Sequence, residues 1–151
     1  MIITLIISVV LIVAMWKIFT KAGKPGWHSI IPVLNLYDIG NIAWNKTMAI
    51  VFTVLGTLYG VVSSVVSTKL SNGESSGGLT AIMGILSIAF LVIYVMMMNK
   101  LSKSFGHGVG FTVGLVLLSP VFYMILGFGS STYIGPEGNA VAGGSDNIEQ
   151  Q

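Results

Sequence analysis

The chain has 151 residues, of which 54% are hydrophobic and only 8% charged, with a formal net charge of +2. A water-soluble domain carries about 25% charged residues, so most of this surface is built for lipid, and the length allows one domain. All seven basic residues are lysine and there is no cysteine. That excludes arginine-based reading of nucleic acid, a disulfide framework and thiolate chemistry.

Residues 1–19 predict a first membrane span. They are apolar apart from Thr4, Ser8 and Lys17, and at about 1.5 Å per residue they can cross a core of about 30 Å. A signal peptide would want a basic start and a small-x-small cleavage site. Nothing basic precedes the run, and Phe19-Thr20-Lys21-Ala22 is a poor site. The lysines at 17, 21 and 24 follow the run, which places the N-terminus outside by the positive-inside rule.

Gly23, Pro25 and Gly26 then end the helix, since glycine permits the turn and proline restrains it. Trp27, Tyr37 and Trp44 are residues of the water–lipid boundary. Between them, residues 28–45 are mixed in polarity, with Asn35, Asp38 and Asn41 every third position and Pro32 interrupting the pattern. The segment is too short and too polar for a span, and it predicts an interfacial or re-entrant helix.

Residues 47–68 predict a second span, in which Gly56, Gly60 and Ser64 form a small-residue packing face. A polar glycine- and serine-rich loop follows at 69–78, then a third span at 79–98. Met96, Met97 and Met98 point three ways around that helix, so they are packing residues rather than a copper site. Lys100 and Lys103 make a second basic loop. Gly106, Gly110 and Gly114 then open a fourth span over 109–128, with a kink expected at Pro120. Residues 137–151 are acidic and glycine-rich, and a disordered tail is expected there.

The expected architecture is an all-α polytopic membrane bundle over residues 1–136, with four spans plus one short interfacial or re-entrant helix. Lysines 17, 21, 24, 46, 100 and 103 fall on one side and only Lys69 on the other. A multi-pass protein of the bacterial cytoplasmic membrane with both termini outside satisfies that distribution.

K-A-G-K-P-G-W at 21–27 with I-P-x-x-N at 31–35 resembles a family of small bacterial membrane proteins of unknown function. L-S-K-S-F-G-H-G-V-G-F-T-V-G-L at 101–115 and G-F-G-S-S-T-Y-I-G-P at 127–136 resemble later motifs of the same family. Leu34 stands where that family often has tyrosine, and His107 where it often has lysine. A related module resembles the N-terminal membrane part of some bacterial chains classed with signal peptidase I. The resemblance implies a membrane module that can be joined to an enzyme, and does not make this chain one.

No catalytic, cofactor or metal site is expected. Ser71, Ser75, Ser76 and Lys69 lie in a loop with no scaffold to hold a dyad. His28, His107 and Asp38 have no recognisable ligand spacing. The candidate residues are therefore structural or interaction sites: Lys21, Gly23, Pro25, Gly26, Trp27, Pro32, Asn35, Asp38, Phe105, Gly106, Gly110, Gly114, Gly127, Gly129 and Tyr133. Asp38 is expected to dock the broken segment by pairing with Lys24, Lys46 or Lys100, or else to line a polar cavity with Asn35 and Asn41. Trp27–Asn35 is expected to pack against Gly106–Gly114. The function expected is a non-catalytic scaffold or accessory subunit, with a small homo-oligomeric channel or transporter as the alternative. The partners are the lipid bilayer and either further copies or a larger membrane protein, not nucleic acid.

Overall fold

In a computed structural model, residues 1–138 are described, and they form six α-helices: α1 (Ile2–Lys21), α2 (Pro32–Ala43), α3 (Lys46–Ser71), α4 (Gly77–Ser104), α5 (Val109–Leu117) and α6 (Ser119–Phe128). Short 3-10 turns lie at Gly26–Ser29 and Pro136–Gly138, and there is no strand among the described residues. The long helices α1, α3 and α4 are each long and apolar enough to cross a membrane. Expected residues 139–151 of the tail lie outside the description. Glu137, expected to begin that tail, instead sits in the last turn and pairs with Lys100 at 2.8 Å.

All three long helices stop in the same way. Gly23, Gly73 and Gly106 take φ of 73°, 75° and 75°, a conformation that suits glycine. In each case the next N–H reaches back to a carbonyl of the last turn: Lys24 to Phe19, Glu74 to Lys69 and His107 to Ser102. This is the Schellman closure, which satisfies carbonyls that a helix end leaves open. At the start of α3, the Asn45 side chain accepts from the Met48 N–H at 2.8 Å. Proline at the start of α2 and of α6 costs no helical hydrogen bond there.

The helices α3 and α4 form an antiparallel pair, with Phe52, Tyr59, Phe90 and Tyr94 stacked along their contact. Helix α2 runs beside α3 in the opposite direction. Gly40 lies against Ala49, Leu36 against Gly56, and Val33 shares a groove with Thr57 and Val61. Thr57 is about 16 Å along α3 from Lys46, so α2 lies along the bundle rather than flat across its end.

The segment 109–128 is not one helix. Leu118 leaves the helical region (φ −128°, ψ 45°), and Pro120 starts α6. The expected kink is a full reversal. Phe122 packs over Gly114 and edge-on to Phe111, so α6 folds back along α5. At 1.5 Å per residue each arm is only about 15 Å long, half of what a span requires. The tip sits at Tyr94, whose hydroxyl meets Ser119 Oγ at 3.0 Å. Tyr94 itself is about 15 Å up α4 from Ser104. The exit of α6 is back where α5 began: His107 Nε2 meets Ser131 Oγ at 2.7 Å, and the Ile134 N–H donates to Ser104 O at 2.8 Å. The expected fourth span is thus a half-length hairpin. The chain enters along α1 at one end of the bundle, and its last described residues lie at the other.

Candidate functional site

The end of the bundle where α1, α2, α4 and α6 finish holds nearly every residue that the sequence singles out. Lys21 is the joint. Its ammonium donates to Leu126 O at 2.6 Å and to Gly129 O at 2.9 Å. Those carbonyls belong to the C-terminal end of α6, where a cation answers both open acceptors and the negative end of the helix dipole. Lys17, one turn earlier on α1, stands over the Phe128 ring with its ammonium 4.8 Å from the centroid. Gly127 makes the approach possible, since a Cβ there would lie 2.5 Å from Ala14 O. A Cβ on Gly129 would meet Ile125 O, and one on Gly26 would strike the Trp16 indole.

A second cluster lies under the 3-10 turn. Asp38 is buried, and its carboxylate meets His28 Nδ1 at 2.5 Å. Trp27 sits edge-on to the same imidazole and is half exposed. The Asn35 amide donates to Ser29 O at 3.0 Å, tying the turn to α2. Ser29 Oγ is buried and makes no hydrogen bond among the described residues. On the docking reading Asp38 was to pair with Lys24, Lys46 or Lys100. The carboxylate pairs with His28 instead, because the 3-10 turn at Gly26–Ser29 brings the imidazole over the second turn of α2. Lys100 is occupied elsewhere, by Glu137 and by the face of Trp44 at 4.9 Å.

The third cluster joins α2 to the second half of the chain. Ser104 Oγ is within 3.2 Å of both Ile42 O and Ala43 O, and Tyr133 Oη donates to Ile42 O at 2.7 Å. Both side chains answer the open carbonyls at the end of α2. Phe105 packs edge-on to Tyr133, and burial pushes the Tyr133 phenol up to about 12, so it is a neutral donor at ordinary pH. The first and second motifs therefore do meet, through Lys21 with α6 and through Ser104 and Tyr133 with α2.

They do not meet where expected. Around the glycines predicted to receive Trp27–Asn35, Gly106 faces Ile134, Gly110 faces open space and Gly114 faces Phe122. Periodicity alone made these three a packing face, whereas the reversal at Leu118 turns only Gly114 to use. The same holds for the expected face on α3. Gly56 packs on Leu36 and Phe90, but Gly60 has nothing within 4 Å, and exposed Ser64 bonds to Val61 O of its own helix. Gly40, Ser104 and Ser29 were not singled out from the sequence. Single small residues carry no periodic signal, and only the neighbouring backbone reveals their role.

Residues 27–136 match the family of unknown function DUF5684. The chain belongs to that family. No curated protein and no solved structure matches it. The DUF5684 region begins at Trp27, so Lys21 lies just outside it while holding the C-terminal end of α6 within it. Among the described residues no three histidine, cysteine or acidic side chains come together as a metal site.

Proposed function

We propose that this DUF5684 protein is a non-catalytic scaffold or accessory module of the bacterial cytoplasmic membrane. It crosses the bilayer three times and sends two half-depth elements, 26–45 and 109–128, in from the cytoplasmic side. The observation that carries this reading is where the polar side chains are spent. Lys21, Asn35, Asp38, Ser104 and Tyr133 all bond to other parts of the same chain. They hold elements of the chain together, which is what a scaffold asks of them.

The lysine-rich end faces the cytoplasm by the positive-inside rule. On this reading the N-terminus is outside and the exit of α6 inside, whereas four full spans would put both outside. Purification in mild detergent followed by mass measurement tests the role. A larger membrane protein that co-purifies stoichiometrically supports an accessory subunit. A second reading is a small homo-oligomeric channel. It is favoured by the paired half-depth elements, because broken helices line the polar paths of many transporters. A defined ring of copies together with ion flux in proteoliposomes would replace the first reading with the second.

A further inference from the structure

Where α6 meets α1 the two helices leave a cleft of about 540 Å³, bordered by Trp16, Lys17, Thr20, Lys21 and Gly127–Gly129. We infer that this cleft binds the phosphate of an anionic phospholipid. Gly127 and Gly129 put no side chain into it. Two ammonium groups do border it. Lys21 uses two of its three N–H groups on Leu126 O and Gly129 O, leaving one. Lys17 is exposed and belongs to none of the three ion pairs among the described residues. Among the described residues its ammonium stands over the π face of Phe128.

An ammonium one turn from the end of a membrane helix reaches out to the headgroup layer. Exposed Trp16 beside it is a side chain of the headgroup layer. The anion available in quantity at that depth is the lipid phosphate, and lysine binds phosphate as a point charge. The cleft differs from the other grooves in this respect. Those along α2–α3 and α3–α4 carry no charged side chain, and Lys100 at the α4–α5 groove is neutralised by Glu137.

The inference rests on the bilayer placement proposed above, which cysteine labelling tests separately. The full chain in mild detergent is incubated with vesicles of phosphatidylglycerol or of phosphatidylcholine, and retained lipid is read by native mass spectrometry. Wild type is expected to retain phosphatidylglycerol preferentially, with the preference falling as salt is raised. Lys17→Gln is expected to lower that retention about fivefold, as for loss of one lysine at a membrane surface. Lys17→Arg should restore it, and Lys46→Gln, at the same end but outside the cleft, should leave it unchanged. Equal retention of the two lipids by wild type overturns the inference without any variant. So does a Lys17→Gln protein that elutes as wild type and retains phosphatidylglycerol equally well.

Discussion

Replacing Lys21 by methionine keeps the length and apolar stem of the side chain and removes only the ammonium. Two charge-assisted hydrogen bonds are lost, at 2.6 and 2.9 Å. Bonds to charged groups contribute about 1.5–3 kcal/mol each, and a cation at a helix C-terminus up to about 2 kcal/mol. These terms describe the same contact and overlap, and the site is only half-buried, so the expected loss is about 3 kcal/mol. For a chain of this size that lowers the midpoint of thermal unfolding by about 6–12 °C. Lys24→Met is the control, because it removes the same charge from the same turn and Lys24 makes no side-chain bond to α6. Its expected effect is within about 0.5 kcal/mol. Any contribution of loop charge to orientation is shared by the two variants and cancels. The assay is the fraction of folded protein surviving a heat ramp in detergent, read by gel filtration. If the two variants unfold within about 1 °C of each other, Lys21 is not the joint between α1 and α6.

The absence of native cysteine permits single-cysteine labelling: Ser75→Cys should react with an impermeant maleimide in intact cells and Thr132→Cys only after permeabilisation, whereas a complete fourth span would expose both. A double-mutant cycle of His28→Ala and Asp38→Ala should give a coupling of at least about 1 kcal/mol, and the same cycle with Lys46 none; coupling to the lysine alone would reinstate the expected partner. Gly127→Ala should destabilise by about 1–3 kcal/mol, since its Cβ meets the backbone of Ala14, while Gly110→Ala, facing open space, should be neutral or stabilise by up to about 1 kcal/mol. Equal effects of the two alanines would refute the α1–α6 packing. The Tyr133 phenol is raised from 10.0 to about 12. Its contribution to stability is therefore fully present below about pH 10 and falls as pH rises toward about 12. The stability difference between wild type and Tyr133→Phe should accordingly stay constant from pH 7 to about 10 and shrink above it; a difference that grows with pH would contradict the burial.

Composition and hydropathy were enough to read the all-helical class and the three long helices, because lipid imposes one requirement on every residue of a span. The glycine turn at Gly23 was equally plain, since it rests on a local backbone rule, whereas Pro32 read as an interruption of 28–45 and is in fact the first residue of α2. Depth was not legible. Residues 109–128 have the length and apolarity of a span, and a proline within such a run reads as a kink. Whether the chain continues or reverses there depends on Phe122 finding the empty face of Gly114, a contact that no window of sequence displays. Partners across long separations were hidden for the same reason. Lys21 read as an orientation signal because loop lysines ordinarily are one. Its bond to Leu126 is set by where α6 ends, more than one hundred residues later.

The arrangement also explains why polar contacts crowd one end. In lipid, apolar side chains gain little by leaving their solvent, so helices associate through close packing and hydrogen bonds. Every helix ends with open carbonyls, and the three long helices close theirs with glycine turns. The helices α2 and α6 end without such a turn, and each has its last carbonyls answered from elsewhere in the chain. Ser104 and Tyr133 serve α2, and Lys21 serves α6. Helix α1 packs principally on α6 and on the Gly26–Ser29 turn, and its N-terminal half is exposed on nearly every side. Its attachment therefore depends on the few residues around Ala14–Lys21. A variant that loosens α6 should free α1 while leaving the α3–α4 pair intact.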